Sequence, residues 1–492
     1  MTRVEVLLIN PFLTVAVDDP ADISPPLGLA YLAAYLEERG VKVALLDIAA
    51  AGINQKKKIN QKIRYGLSNR EIIKRIKNYS PQIVGIGCQS TLHAAEAQET
   101  ARLVKKVNPE ILVVMGGAHP SVMFEELLQD KNIDLVIKGE GELTFWEIVR
   151  RFKQKKSLKG ILGTNDNPAR PRIKNLDVLP FPARHLLDME IYFQQARQKT
   201  NYNFGQRVIT MITSRGCPGA CVYCSVRTIW GRVWRGRSAK NVVDEMADLI
   251  KVYGADEIHF LDDSIGVDKE RLRQICREII KRDLKVRWTT PNGIAIWLLD
   301  KKLLKLMKRA GCYRLTFGLE SGNQEILQDY IGKHYDFDQA RELITFASRI
   351  GLWTVATFII GFPDETRDQI EETINFAMAT DLDFAVFYLA NPFPGTPMHN
   401  DFLQKGLLAP GGGQNIVRGC RTIYFSHREL IELQAEAFNR FLKSRLRQPW
   451  RLTSKIRSFA DLFYTYKLSK NLMKMLINRT LIKTRGIAGL WR

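Results

Sequence analysis

No apolar run in the 492 residues reaches the ~18 that a membrane-spanning helix requires. Val4 to Asn10 is apolar but short, Asn10-Pro11 ends it, and no small-residue cleavage site follows. It therefore reads as a buried strand and not a signal peptide, and a cytoplasmic location is the expectation. Cysteine is too sparse and scattered for a disulfide framework: of seven, Cys88, Cys276, Cys312 and Cys420 stand apart and read as small buried hydrophobes. The phosphate fingerprint G-x-G-x-x-G is missing after the first apolar run, where Asn10-Pro11-Phe12 stands instead, which weighs against a dinucleotide site there. Acidic residues nearly vanish from the end of the chain. Lys443 to Arg492 holds thirteen Lys or Arg and one acid, Asp461. More than half of the formal charge of +21 lies there, and such a tail can meet anionic lipid, nucleic acid or an acidic protein.

What is present is strand–helix alternation, twice over. Val4–Ile9, Val41–Leu46, Ile83–Gly87, Ile111–Met115 and Asp134–Ile137 read as buried parallel strands with helical patterns between them. The expected fold is α/β: a doubly wound, flavodoxin-like parallel sheet over residues 1–152. The lysine-rich stretch Asn54–Arg64 reads as a solvated insertion. Residues 153–200, punctuated by Asn167-Pro168 and Pro180-Phe181-Pro182, read as a linker. A second series follows over 201–400, with strands at Val208–Thr213, Glu257–Leu261, Val286–Thr290, Arg314–Gly318, Val355–Ile360 and Phe384–Leu389. Ser238–Val252 is one intervening helix, with Ser238 as its N-cap. Six such units predict a partial or closed TIM-like barrel. Residues 401–492 read as a small, basic, helical C-terminal region.

The chemistry concentrates in one loop. Cys217, Cys221 and Cys224 are spaced C-x-x-x-C-x-x-C directly after the first strand of the second series, in a turn with Gly216, Pro218 and Gly219. Thiolates are the usual ligands of iron–sulfur clusters, and three of them leave one iron of a cubane open to substrate. A structural zinc would want four ligands, and no fourth Cys or His lies nearby in sequence.

With this spacing in this place, the chain resembles the radical S-adenosylmethionine (radical SAM) superfamily over roughly Val208 to Met398. The resemblance implies a 4Fe–4S cluster whose open iron binds S-adenosylmethionine. It places Tyr223 against the adenine. Asp262 and Asp263 become acceptors for the ammonium group, and Glu320, in Gly318-Leu319-Glu320-Ser321-Gly322, an acceptor for ribose hydroxyls beside Ser321. Gly361 in Gly361-Phe362-Pro363-Asp364-Glu365 and Pro394 in Pro392-Phe393-Pro394-Gly395 complete the implied set. All stand at carboxyl ends of strands, the rim where barrel enzymes build their sites.

The first sheet resembles cobalamin-binding domains. Asp47-Ile48-Ala49-Ala50-Ala51-Gly52 matches their D-x-H-x-x-G loop except that Ala49 replaces the histidine. Ser90-Thr91-Leu92 matches their S-x-L turn, and Gly116-Gly117 their glycine pair. Gly139 and Glu140 join the implied cobalamin set. Without an imidazole at Ala49, the cobalt would lack a histidine beneath it, which favours giving up an upper methyl group. His93 and His119 lie near the same rim and read as polar surface residues, with contact to the corrin as the alternative for either. The whole resembles the cobalamin-dependent radical SAM enzymes.

The function implied is methylation of an unactivated carbon in a small-molecule or lipid-like substrate, with a flavodoxin or ferredoxin as electron donor. A cobalamin-dependent cyclase or ring-rearranging enzyme is the alternative within the architecture. No general base stands out. A methylthiotransferase acting on RNA is opposed by the absence of a second cysteine trio before Cys217, and nucleic acid is not an expected partner. A scaffold binding RNA or membrane around a structural metal is the non-enzyme alternative. The tail interleaves Trp450, Phe459, Leu462, Phe463, Tyr464, Tyr466, Leu472, Met473, Leu476 and Ile477 with cations. It reads either as a peripheral anchor at the inner face of the membrane or as a helix covering the barrel.

Overall fold

In the computed structural model, buried apolar strands form two parallel sheets, each in its own compact unit, one running to Gln195 and the other beginning at Ala196. The residues described are 3–17, 23–198, 203–408, 420–448, 450–453, 455–456, 459, 461–467 and 469.

The first sheet has five strands in the order Val43–Asp47, Val6–Asn10, Ile83–Gly87, Leu112–Gly116, Leu135–Ile137, every neighbour parallel. Both faces are covered. One cluster packs Leu7, Ile9, Ile86 and Met115 under the helices Asn69–Tyr79 and Ala94–Val107. The other packs Val6, Leu8, Leu45 and Val114 under Leu27–Glu37 and Gly141–Lys153. By position along the chain the strand order is 2-1-3-4-5, so the connections reverse between Val6–Asn10 and Ile83–Gly87. That reversal opens a crevice beyond their carboxyl ends.

Asn54–Arg64 is solvated, as its lysines imply, and it is also ordered. Lys56–Ile59 turns back at Asn60, whose φ is +53°, onto Lys62–Tyr65, which pairs in turn with Leu13–Ala16. The stretch expected as a linker also packs: Ile173, Leu176 and Leu179 bury against Tyr35, and Phe193 is fully buried in the helix Met189–Gln198.

The second sheet runs Val208–Met211, Glu257–Phe260, Arg287–Ile294, Cys312–Glu320, Trp353–Ile360, Phe384–Leu389, all parallel and in sequence order. Among the described residues its two edge strands do not pair with each other, so the barrel is partial. Helices between the strands face it with amphipathic stripes. In Lys301–Arg309, Leu303, Leu304 and Met307 are fully buried, each contributing roughly 1.5–3 kcal/mol.

The amino end of this barrel is sealed by the C-terminal segment. Tyr464 stacks on Phe204 at 4.0 Å and stands edge-on to Trp353 at 5.2 Å. Lys455, almost fully buried, pairs with Asp383 at 3.0 Å and donates to the Leu352 carbonyl at 2.6 Å. Trp450, Phe459, Leu462, Phe463 and Tyr466 remain exposed, and Leu472, Met473, Leu476 and Ile477 lie outside the described residues. Among the described residues, no helix is long and apolar enough to cross a membrane.

Candidate active site

Each sheet gathers the sequence-predicted residues at its carboxyl ends. In the second unit the cysteine loop lies between the two-residue strand Ser214–Arg215 and the helix Val226–Trp230. Gly216 starts it with φ of +85°, and a Cβ there would meet the Val233 carbonyl oxygen at 2.2 Å. Only glycine fits such a turn. Three neighbouring segments brace the loop and the helix that follows it. Gly216 N–H donates to Asp263 Oδ2 at 3.0 Å, and Val222 N–H to the Ile331 carbonyl at 3.2 Å. Met398 N–H donates to the Val222 carbonyl at 3.1 Å, and the Thr228 hydroxyl to the Gly395 carbonyl at 2.8 Å. The loops after three other strands, Glu257–Phe260, Cys312–Glu320 and Phe384–Leu389, thus converge on the cysteine loop.

Among the described residues no three Cys, His, Asp or Glu side chains converge on a single metal ion. Instead two sulfurs flank one glycine: a Cβ on Gly219 would lie 3.3 Å from Cys217 Sγ and 3.8 Å from Cys221 Sγ. That bare backbone leaves a cradle which a side chain would fill. Burial pushes the Cys224 thiol up to about 12 and raises Cys221 as well, and each is raised further by its neighbouring cysteines. Cys221 and Cys224, so raised, need a cationic guest to become thiolates. The donor set therefore fits a cluster.

The two aspartates divide. Asp262 is buried and consumed by Thr213 and Ser214: it accepts from Thr213 N–H at 3.1 Å, the Thr213 hydroxyl at 2.6 Å and the Ser214 hydroxyl. It fixes the strand end that launches the loop. Asp263 accepts from Gly216 N–H alone among the described residues, and desolvation raises its carboxyl to about 6.

Glu320 stands at a bulge in its strand with φ of +68°, an uncommon conformation for a residue with a side chain. Lys333 holds it, Nζ to Oε1 at 2.6 Å, with a second bond to the Gly318 carbonyl at 3.1 Å. Tyr223 bonds to Glu320 as well, and the Lys333 ammonium lies 6.0 Å from the Tyr223 ring centre. Lys333 follows the π-turn Ile326–Ile331 that braces Val222. Nothing in the sequence marks Lys333 beyond its place after Gly332, because a lysine's burial is not written locally. Ser321 is fully buried and bonds to Thr373 at 3.1 Å. Gly361, at φ of +85°, donates to Glu365 Oε2 at 2.6 Å. The other oxygen, Oε1, is buried and without a partner among the described residues, and desolvation raises this carboxyl to about 8. Pro394 sits in the turn from Phe393 to Thr396, where Thr396 N–H donates to the Phe393 carbonyl at 3.2 Å.

In the first unit the motifs that resemble those of cobalamin-binding domains stand at the carboxyl ends of the parallel strands. Asp47 caps the short helix Ile48–Ala51 by accepting from Ala50 N–H at 2.9 Å, and accepts from the Tyr192 hydroxyl at 2.7 Å. Ala49 is buried. Gly52 is pressed against the returning chain: a Cβ would stand 2.2 Å from the Leu67 nitrogen. The Ser90 hydroxyl accepts from Leu92 N–H at 3.2 Å, and Leu92 is exposed. Gly117, at φ of +125°, lies against Cys88, whose N–H donates to the Gly116 carbonyl at 2.8 Å. Gly139, at φ of +75°, faces open space, and Glu140 accepts from Ile173 N–H at 2.8 Å. His119 is buried, contrary to the surface reading: its Nδ1 bonds to Thr91 at 3.1 Å and desolvation lowers its pKa. Imidazole packs there because Gly117 brings the helix start against Cys88. His93 is half-buried. Glu96, in the first turn of Ala94–Val107, has a buried Oε2 without a partner among the described residues.

The comparisons agree with this division. Residues 211–377 match the model of the Radical SAM superfamily, and residues 13–149 that of the B12 binding domain. The chain is 32% identical to the cytidylyl-2-hydroxyethylphosphonate methyltransferase of Streptomyces wedmorensis, over 82% of this chain and 83% of that protein. It is 37% identical to an uncharacterized methyltransferase of Pyrococcus horikoshii, over 78% and 80% of the two chains. In fold it is similar to the cobalamin-dependent S-adenosylmethionine radical enzyme OxsB with aqua-cobalamin bound. The TM-score is 0.70 at 18% identity, covering 98% of this chain and 72% of that one.

Proposed function

The chain belongs to the cobalamin-dependent radical SAM enzymes, and from that membership we propose that it methylates an unactivated carbon of a small molecule. The observation that carries the proposal is the cysteine loop, braced by three neighbouring segments around a glycine cradle, in a chain whose other unit carries the corrin-type motifs. When bound, the cluster with S-adenosylmethionine supplies a hydrogen-abstracting carbon radical, and the corrin supplies the methyl group.

The protein's own residues supply position. Cys217, Cys221 and Cys224 hold the cluster. Asp263 takes the ammonium group of S-adenosylmethionine, while Asp262 keeps the strand end rigid. Glu320, oriented by Lys333 and Tyr223, accepts from ribose hydroxyls, with Tyr223 toward the adenine. Ser321, Gly361 and Pro394 shape the rim. In the other unit Asp47, Ala49, Gly52, Ser90, Leu92, Gly116, Gly117, Gly139 and Glu140 surround the cobalamin. We assign residues 1–152 to the cobalamin domain, 153–200 to the connection, 201–400 to the barrel and 401–492 to the C-terminal region.

A relative named for a cytidylylated phosphonate makes small anionic nucleotide conjugates the first substrates to try. A lipid-like substrate is the second choice, supported by the exposed aromatic residues Trp450, Phe459, Phe463 and Tyr466 on a basic segment. A flavodoxin or ferredoxin would supply electrons.

The test is anaerobic reconstitution, with iron and sulfide counts, release of 5′-deoxyadenosine, and product masses. A product heavier by one methylene and dependent on cobalamin is expected. A product that instead loses two hydrogens would move the assignment to cyclisation. Zinc, or no iron, at the cysteine loop would end it.

A further inference from the structure

We propose that the basic face made by the ribbon Lys56–Tyr65 and the helix Asn69–Tyr79 is the docking surface for a small acidic electron-transfer protein. The proposal rests on the radical and corrin reading above, since that chemistry consumes electrons the chain does not itself generate.

Residues 54–79 hold nine Lys or Arg and one acid, Glu71. Lys56, Lys57, Lys58, Lys62, Arg70, Lys74, Arg75 and Lys77 are all exposed. None of the eight takes part in an ion pair among the described residues. Arg64, the ninth, is turned inward: it lies over the Phe12 ring at 3.7 Å and donates to the Leu67 carbonyl at 3.0 Å. The acids beside the patch are engaged elsewhere. Glu71 closes the capping box with Ser68, and Glu99 is held by Arg102 at 2.6 Å and Asn69 at 3.2 Å. Glu71 also acts on Arg75 one turn away, and the face that results is strongly positive in net charge.

That face is fixed to the corrin-type loop. Leu67, where the ribbon ends, donates its N–H to the Ile48 carbonyl at 3.2 Å and presses on Gly52. Ser68 then opens the helix. A partner seated on the ribbon therefore stands against the segment Asp47–Gly52.

The chemistry of the face selects the partner. Nucleic acid binding wants exposed rings for base stacking, but Phe12 and Tyr65 are buried. A lipid surface wants inserting apolar groups, and in residues 54–79 the one large hydrophobic exposed is Ile59. Six of the eight exposed cations are lysines, which act as point charges without the rigid fork of arginine. Such a surface suits fast, loosely oriented encounters of the kind made by redox partners, steered by charge. Lysines also protect an edge strand from pairing. That explains Lys56 to Lys58 but not the cations on the helix.

In the step proposed, one electron leaves the partner's reduced flavin or iron–sulfur centre. The partner is oxidised by one electron and the enzyme's bound cofactor reduced by one; no bond forms and no proton moves.

The experiment follows reduction of cobalamin in the holoenzyme by stopped flow, using a reduced flavodoxin of net negative charge and, separately, titanium(III) citrate. Two variants are compared with the wild type: Lys56→Glu/Lys57→Glu/Lys58→Glu/Lys62→Glu and Arg70→Gln/Lys74→Gln/Lys77→Gln. The flavodoxin rate should fall about tenfold or more at low salt and lose its salt dependence, while the titanium rate stays unchanged. Unchanged flavodoxin rates and salt slopes in both variants would overturn the proposal. So would loss of RNA or anionic-vesicle binding with the flavodoxin rate intact. If titanium fails to reduce any cofactor in the wild type, the proposed function fails instead.

Discussion

The Tyr192 hydroxyl donates to the Asp47 carboxylate at 2.7 Å, across 145 positions of sequence. Asp47 opens the loop in which Ala49 stands where the resembling family has histidine. Its carboxylate has no imidazole to orient. It caps a helix and takes the tyrosine, and desolvation raises its pKa in spite of those bonds. Tyr192→Phe leaves a buried carboxylate one donor short, which costs about 1–3 kcal/mol. Thermal unfolding should show that loss, and cobalamin affinity should fall in titrations followed by absorbance. The bound cofactor should show no nitrogen lower ligand in its spectrum, in the wild type and the variant alike.

Cys221→Ala should remove the cluster. Iron and sulfide content should fall to background, and cleavage of S-adenosylmethionine with it. Cys276→Ala, at a cysteine buried in the helix Lys269–Lys281, should keep full iron. Retained iron in Cys221→Ala would contradict the ligand assignment.

Lys333→Met should isolate the Glu320 carboxylate in a buried place. Stability should drop by about 3–5 kcal/mol, because breaking one side of a buried pair leaves an uncompensated charge. Affinity for S-adenosylmethionine should fall by about tenfold or more. Glu320→Gln/Lys333→Met should recover stability without recovering affinity. Calorimetry and equilibrium binding separate the two effects.

The Lys455–Asp383 pair makes a parallel prediction for the C-terminal segment. Both side chains are almost wholly buried. Lys455→Met should destabilise by about 3 kcal/mol, and Asp383→Leu added to it should restore much of the loss. Flotation of the full chain with anionic vesicles reports separately on the exposed aromatic residues. Binding there should be lost on replacing Phe459, Phe463 and Tyr466 by serine.

Glu365 should give the fold a pH dependence. Its carboxyl is raised from 4.5 to about 8 by burial, so the folded state holds its proton more tightly than the unfolded chain does. Stability is therefore undiminished below about 4.5 and falls as pH rises toward 8. A shift of that size sets an upper limit of about 4–5 kcal/mol. Glu365→Gln should flatten this part of the profile in denaturant titrations between pH 5 and 8, taken as an approximate window. An identical slope in the variant would refute the assignment.

By itself the sequence determined the local features. The spacing of Cys217, Cys221 and Cys224, the turn glycine at Gly216, the caps at Ser238 and Ser68, and the two series of apolar strands all depend on neighbours a few residues apart. Short-range sterics and periodicity are written directly into such stretches. The tertiary structure alone decided which charged groups meet. Nothing near Lys333 announced Glu320, nothing near Tyr192 announced Asp47, and the tail, readable either as an anchor or as a cover for the barrel, did not announce that Lys455 would be buried against Asp383. It also divided the aspartate pair, closing Asp262 into a strand end and leaving Asp263 toward the cysteine loop. Such pairings are set by burial, since a charge taken from water is stable only where the fold delivers its partner. That delivery is a property of the closed chain, not of any segment of it.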